Sequence, residues 1–175
     1  AALGAGLKEL ERELVLKAPP KSLAFVFDKK LEKAFSRVFE RQLLTRFKRA
    51  LTHMRAGDYS RGVKTMRGLG FGLTPSGDDF ISGLLAGFNF AMLNLRYDAE
   101  GLIEKIFFCA EGGNLVSNSF LRCSFEGKVN AKTGRLLRAL GGRDRRELRA
   151  AAREALASGH TSGADFCAGL VFALR

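Results

Sequence analysis

Apolar residues recur at helical spacing over most of this chain. From residue 28 to about residue 51 they return at steps of three and four, which is the period of a helix with one buried face. Asp28 is placed to cap this long helix, and Gly57 with Asp58 to end it. The same spacing predicts further helices over residues 59–66, 79–96, 99–111, 115–125, 131–140, 145–158 and 165–174, with glycines at most breaks.

The first residues follow a different pattern. Residues 1–20 form a short amphipathic stretch that Pro19 and Pro20 terminate. Residues 22–27 read SLAFVF, which suits a short strand but equally fits a lead into the next helix. Strands and helices do not alternate regularly anywhere in the sequence. We therefore predict a mainly α, compact helical domain over residues 28–175, preceded by an N-terminal extension over residues 1–27.

Two stretches of the sequence repeat one another. Residues 76–84 read SGDDFISGL and residues 162–170 read SGADFCAGL, with six of nine positions identical. The repeat predicts two equivalent helix starts related by a pseudo-twofold arrangement. A serine followed three residues later by an acid resembles a capping box. Capping alone would explain four residues, namely Ser76, Asp79, Ser162 and Asp165.

Capping does not explain the glycines that approach the first copy. Alternate glycines in GLGFG, residues 68–72, disfavour a helix and let backbone come close to another group. We hypothesise that the two helix N-termini converge on one pocket, where their amides bind phosphate or carboxylate. The candidate ligand-binding residues are Gly70, Gly72, Thr74, Ser76, Gly77, Asp78, Asn114, Ser117, Thr161, Ser162 and Gly163.

The candidate catalytic residues are Asp79, Asp165 and His160. His160 is the imidazole nearest to the repeat and can act as a donor or as an acid–base group. The aspartates would repel an anion unless they bind Mg²⁺ or serve as a base, so Mg²⁺ is a candidate cofactor. Asn114 and Ser117 either form a third wall of the pocket or belong to a helix start that Asn114 caps.

Two other kinds of catalytic site are disfavoured. The glycine-rich segment lacks the Lys-Ser/Thr that follows a P-loop. Ser76, His160 and Asp165 could assemble a triad, but no nucleophile elbow is present. With only two histidines, the chain also cannot form a histidine-rich metal cage.

The net charge of +11 raises nucleic acid as a partner. Much of this charge lies in residues 128–153, where no aromatic residues interleave with the arginines and lysines. Single-strand binders usually need such stacking platforms, so a solvated helix face beside an anion entrance is the favoured interpretation. Three widely spaced cysteines argue for reduced thiols in the cytoplasm, and the longest apolar stretch, about residues 80–93, is too short to cross a membrane.

The motifs GFGLTPSGDDF, residues 70–80, and GHTSGAD, residues 159–165, resemble those of a bacterial protein family. Its members have been called carboxylases and are associated with the AllH-type subunit of oxamate carbamoyltransferase. The resemblance covers roughly residues 30–175, and residues 114–121 are similar to the polar helix start that the family has between the motifs. It implies a site for a small anionic metabolite, such as a carbamoyl or carboxylate compound.

Two functions remain open on these grounds. The first is an enzyme or enzyme subunit that transfers a carbamoyl or carboxyl group. The second is a non-catalytic ligand-binding or regulatory subunit, whose partner supplies the catalytic residues. The resemblance makes nucleic acid a less favoured partner. Assembly into a homo-oligomer or into a hetero-complex with other enzyme subunits is compatible with either function.

Overall fold

The computed structural model describes residues 2–175 and consists of helices joined by short loops. Two 3₁₀ helices, Leu23–Val26 and Lys29–Ala34, lie between the first two α-helices, and residues 2–175 contain no strand. The mainly α prediction is confirmed, whereas a strand at residues 22–27 is wrong. The α-helices are α1 (Ala2–Lys17), α2 (Val38–Arg55), α3 (Tyr59–Met66), α4 (Ser76–Leu95), α5 (Glu100–Ala110), α6 (Leu115–Phe125), α7 (Ala131–Gly141), α8 (Arg145–Leu156) and α9 (Ser162–Ala173).

The long helix predicted from residue 28 is broken in two. Asp28 does act as a cap, because its carboxylate accepts from the Lys30 amide at 2.9 Å, but it caps the second 3₁₀ helix. Helix α2 starts later, where Glu40 accepts from the amides of Ser36 and Arg37 at 3.0 Å each. The break could not be read from the spacing, because apolar residues return at steps of three and four on both sides of it, at Leu31, Ala34 and Val38.

Helices α4 and α9 form the centre of the fold and pack at unusually short range. A Cβ on Gly83 would overlap the carbonyl oxygen of Phe166, and a Cβ on Gly169 would overlap that of Phe80. The two contacts are reciprocal, because each glycine meets the phenylalanine of the other repeat. This reciprocity confirms the predicted pseudo-repeat. Gly87, further along α4, meets Ala173 near the end of α9, so the helices run parallel and both begin at the same end.

The structural repeat is longer than the sequence repeat. A Cβ on Gly77 would overlap the carbonyl oxygen of Met66, at the end of α3. In the same way, a Cβ on Gly163 would overlap that of Ala155, near the end of α8. The units α3–loop–α4 and α8–loop–α9 are therefore equivalent, although their first helices share little sequence.

The other helices surround this pair. Helix α1 packs against α7, α8 and α9, α5 and α6 pack against α4, and α2 packs against α3. Leu10, Leu14 and Leu23 are fully buried, so the first residues contribute directly to the core. None of the described helices has the length and apolar character that crossing a membrane requires.

Candidate active site

A cleft of 610 Å³ opens beside the first turns of α4 and α9. Helices α4, α6, α7, α8 and α9 and the segment before α7 all contribute to its walls. Apolar side chains cover much of its surface, namely Leu73, Phe120, Val129 and Phe166. Its polar lining consists of Thr74, Asp79, Ser82, Ser124, Lys128, Asn130, Thr133, Ser158 and Ser162. A cleft of this size and lining is typical of small-molecule sites.

Asp79 lies half-buried in the wall of the cleft. Thr74 Oγ1 lies 3.1 Å from Asp79 Oδ2 as a donor and 3.2 Å from Ser162 Oγ. Burial raises the pKa of Asp79 to about 6, although the hydroxyls of Ser162 and Thr74 oppose this and the charge of Asp78 adds to it. A carboxyl group with such a pKa can accept or release a proton near neutral pH.

Asp165 occupies the equivalent position in the second repeat but is fully buried and does not line the cleft. The Leu23 amide donates to its Oδ1 at 2.6 Å, and its Oδ2 has no hydrogen-bond partner. Burial raises the pKa of Asp165 to about 7 against the opposing effects of the Leu23 amide and of the Ser76 and Thr161 hydroxyls. The two predicted catalytic aspartates thus face different surroundings.

The glycine-rich segment at residues 68–72 forms a loop, as predicted. Gly70 and Gly72 have φ angles of 123° and 93°, which side chains rarely adopt. Asp78 is buried and accepts from the Gly68 amide at 2.6 Å, so its carboxylate holds the loop rather than lining the cleft. Gly77 likewise donates its amide to the Leu69 carbonyl at 2.8 Å.

The capping-box interpretation of the serines is wrong. The residues that precede the two helices are Pro75 and Thr161, and neither makes a side-chain cap. Ser76 and Ser162 are the first helical residues, three positions earlier than the predicted starts. Ser76 is buried outside the cleft, whereas Ser162 and Gly163 line it. The Gly163 amide donates to Ser158 at 2.9 Å.

The family model of oxamate carbamoyltransferase subunit AllH matches residues 66–174. The chain belongs to the AllH family. The matched residues begin at the last residue of α3 and end just after α9, so they contain both copies of the repeat and every wall of the cleft. No curated protein and no solved structure matches this AllH-family chain.

Three further predicted residues lie outside the cleft lining. His160 is exposed beside Gly159, which does line it. Thr161 precedes α9 close to the Asp165 carboxylate. Ser117 is buried with no hydrogen-bond partner for Oγ, one turn before Phe120 on the same side of α6. Whether these residues take part in ligand binding stays a prediction.

Asn114 caps α6 and also anchors the loop of the first repeat. Its Oδ1 accepts from the amides of Val116 and Ser117 at 3.0 Å, which confirms the cap. Its Nδ2 donates to the Leu73 carbonyl at 2.9 Å. The side chain therefore joins one wall of the cleft in the AllH-family chain to the loop that carries Thr74.

Replacing Asn114 with alanine should destabilise the protein by about 1–2 kcal/mol, because a cap and a loop hydrogen bond are lost. Amide hydrogen exchange over residues 70–74 should accelerate. Asp144 caps α8 in the same way, away from that loop. Asp144→Ala should therefore lower stability without changing exchange in the loop. Equal exchange in both variants would show that Asn114 does not hold it.

The far wall of the cleft was missed by sequence reasoning. Lys128 was noticed only as part of a basic segment, and Phe120, Asn130 and Thr133 carried no signal of their own. They come from segments distant from both motifs, which only the packing of α6 and α7 brings to the cleft. Lys128 is the single cation among the lining residues, and its Nζ pairs with Glu126 at 2.7 Å.

Several arginines of the basic segment, residues 128–153, form ion pairs that join neighbouring helices. Arg135 bonds Glu147 at 2.7 Å and Glu154 at 2.6 Å, which ties α7 to α8. Arg149 and Arg153 pair with Glu9 and Glu13 and tie α8 to α1.

No group of three or more histidine, cysteine or acidic side chains in residues 2–175 is arranged to hold a metal ion.

Proposed function

We propose that this chain is an enzyme subunit that binds a small anionic carbamoyl or carboxylate compound in the cleft beside Asp79. The observation that carries the proposal is the position of the cleft, whose wall includes Asp79 and Ser162 from the two copies of the repeat. The family description, a subunit of oxamate carbamoyltransferase, supports this class of ligand.

The lining residues suggest how each part of the site works. Lys128 supplies the positive charge that attracts a carboxylate or phosphate, and the hydroxyls of Thr74 and Ser162 orient it. When a carbamoyl group passes from carbamoyl phosphate to a nitrogen atom, the new N–C bond forms, the C–O bond to phosphate breaks with its electron pair leaving on phosphate, and the nitrogen releases one proton. Asp79 is the group placed to accept this proton, because burial holds its pKa near 6.

The remaining predicted residues have supporting roles in this proposal. Asp165 positions the start of α9 through its bond to the Leu23 amide. His160, next to the cleft-lining Gly159, is a second candidate proton carrier. We also place the chain in the cytoplasm, which its three cysteines without disulfides support.

A second candidate is a subunit that binds the ligand while a partner supplies catalytic groups. Large apolar side chains are exposed both in the cleft wall and on the segment that precedes α4, which supports a covering partner. Leu73 and Phe120 are exposed in the cleft wall, and the exposed side chains of Phe39 and Phe71 pack with ring centroids 5.6 Å apart. We propose that another subunit of the same enzyme docks there.

Thermal unfolding in the presence of candidate ligands tests the proposed site. The panel contains carbamoyl phosphate, oxamate, bicarbonate, phosphate and dicarboxylates, each with and without Mg²⁺. A ligand at about 100 times its Kd should stabilise the protein by about 2.7 kcal/mol. Ser162→Ala should reduce this shift, whereas Ser119→Ala, at an exposed position on α6, should retain it.

The same samples separate the two candidate functions. Turnover by the isolated chain, lost in Asp79→Asn, favours the enzyme. Binding without turnover favours the subunit that needs a partner. No shift with any compound, or equal shifts in both serine variants, would contradict the proposed site.

A further inference from the structure

A second cavity lies at the other end of α9 from the cleft. It has a volume of 260 Å³ and forms where the ends of α2, α9 and the first 3₁₀ helix meet the start of α3. The cleft and this cavity have no lining residue in common. A helix rises about 1.5 Å per residue, which puts Phe172 in the cavity wall about 15 Å along α9 from Ser162 in the cleft. The two cavities are therefore separate.

Two arginines line this second cavity, and an aromatic ring lies against each guanidinium group. The Arg55 Cζ atom lies 5.8 Å from the centroid of the Phe172 ring, and the Arg175 Cζ atom lies 5.6 Å from that of the Phe27 ring. A guanidinium group stacked on a ring keeps its N–H donors, which lie in its plane, free to bind an anion. The stacking therefore places two cations in the wall of one small cavity.

Acidic side chains neutralise these two cations only in part. No ion pair involves Arg55 within residues 2–175. Arg175 pairs with Glu11, but the distance of 3.5 Å between Nη2 and Oε2 is longer than the roughly 2.7–2.9 Å of a strong charge-assisted hydrogen bond. Asp58, which precedes the lining residue Tyr59, is used as the cap of α3. An anion bound between the two guanidinium groups would offset the repulsion between them.

The rest of the cavity wall is mainly apolar. Val26 and Met54 lie beside the phenylalanine rings and the ring of Tyr59, which packs on Phe88 with centroids 5.7 Å apart. A ligand that fills this cavity must therefore combine an anionic group with an apolar body. Two cations suit a phosphate monoester better than a carboxylate, because the monoester carries roughly 1.5 to 2 negative charges near pH 7. Arginine also binds phosphate through two parallel hydrogen bonds.

We infer that this cavity is a second ligand site, which binds a small phosphate monoester whose apolar body is about the size of one ring. The family model does not cover the site, since six of the seven lining residues, all except Phe172, lie outside residues 66–174. The inference is also independent of the ligand proposed for the cleft, because the two cavities use different side chains.

Calorimetric titration with phenyl phosphate tests this site. The wild-type protein should bind phenyl phosphate about tenfold more tightly than inorganic phosphate, because only the ester fills the apolar part of the cavity. Benzyl alcohol, which has the ring without the charge, should give no detectable heat of binding. Arg55→Gln and Arg175→Gln should each raise the Kd for phenyl phosphate about tenfold or more, because a charge-assisted hydrogen bond is lost.

Two further variants locate the binding. Arg49→Gln changes an exposed arginine of α2 outside the cavity lining and should keep the wild-type Kd. Lys128→Gln removes the cation of the cleft and should keep it as well. An increase in the Kd in Lys128→Gln, with wild-type values in Arg55→Gln and Arg175→Gln, would assign the binding to the cleft and overturn the inference.

The wild-type protein alone can also overturn the inference. No binding of phenyl phosphate, or equal Kd values for phenyl phosphate and inorganic phosphate, would contradict the proposed ligand class. This comparison is decisive even if one of the arginine variants does not fold.

Discussion

Replacing Gly83 with alanine is expected to destabilise the protein by about 3 kcal/mol or more, or to prevent folding. The added methyl group would overlap the backbone carbonyl of Phe166, and backbone in a buried helix cannot move aside as a flexible side chain can. The reciprocal contact makes the same prediction for Gly169→Ala, where the obstacle is the carbonyl of Phe80. Urea unfolding followed by circular dichroism measures both effects.

Gly101→Ala is the matched control. Gly101 lies within α5 and an added Cβ would meet nothing within 4 Å. This substitution should stabilise the protein by about 0.5–1 kcal/mol, because alanine loses less conformational entropy in a helix. If Gly83→Ala were as well tolerated as Gly101→Ala, the close parallel packing of α4 and α9 would be wrong.

The stability of Asp165→Asn relative to the wild-type protein should increase with pH. The pKa of Asp165 is raised to about 7 in the folded protein, from an ordinary value of 3.8. Between these values the folded state binds a proton that the unfolded state has released, so wild-type stability falls as pH rises. Asparagine carries no such charge. From pH 5 to pH 8 the difference in free energy of unfolding between Asp165→Asn and the wild-type protein should change by about 3 kcal/mol in favour of the variant.

The measured quantity is the difference in free energy of unfolding between the variant and the wild-type protein. The contributions of all other titrating groups cancel in this difference. Ser119→Ala, at an exposed position, removes no titratable group and should show a constant difference from wild type over the same range. A constant difference for Asp165→Asn as well would show that the carboxyl group is not buried as described. A shift of opposite sign would mean that its pKa is lowered in the folded protein.

The sequence predicted the parts of the fold that repeat or that keep one period. The segments SGDDFISGL and SGADFCAGL predicted that α4 and α9 are equivalent, because Gly83 and Gly169 in them make the reciprocal contact with the carbonyls of Phe166 and Phe80. The break before Val38 could not be predicted, since the apolar period runs through it. Residues 22–27 were ambiguous for a similar reason, because their apolar character indicates burial but not conformation.

Only some residues of the candidate site could be predicted from the sequence. Asp79 and Ser162 lie in recognisable motifs and face one cleft. Asp165 carries the same motif but faces the N-terminal segment, a difference set by tertiary packing. The wall formed by Phe120, Lys128 and Thr133 depends on how α6 and α7 pack, and none of these residues belongs to either copy of the repeat.

Ligand protection of Cys123 tests the central claim, that the cleft is the ligand site. Cys123 is exposed and lines the cleft, whereas the half-buried Cys109 lies outside it and serves as an internal control. Alkylation of both thiols by iodoacetamide can be followed by mass spectrometry, with and without a saturating ligand from the thermal panel. We predict that the ligand slows modification of Cys123 several-fold and leaves that of Cys109 unchanged. An unchanged rate at Cys123, with a ligand that stabilises the protein, would place the binding site elsewhere.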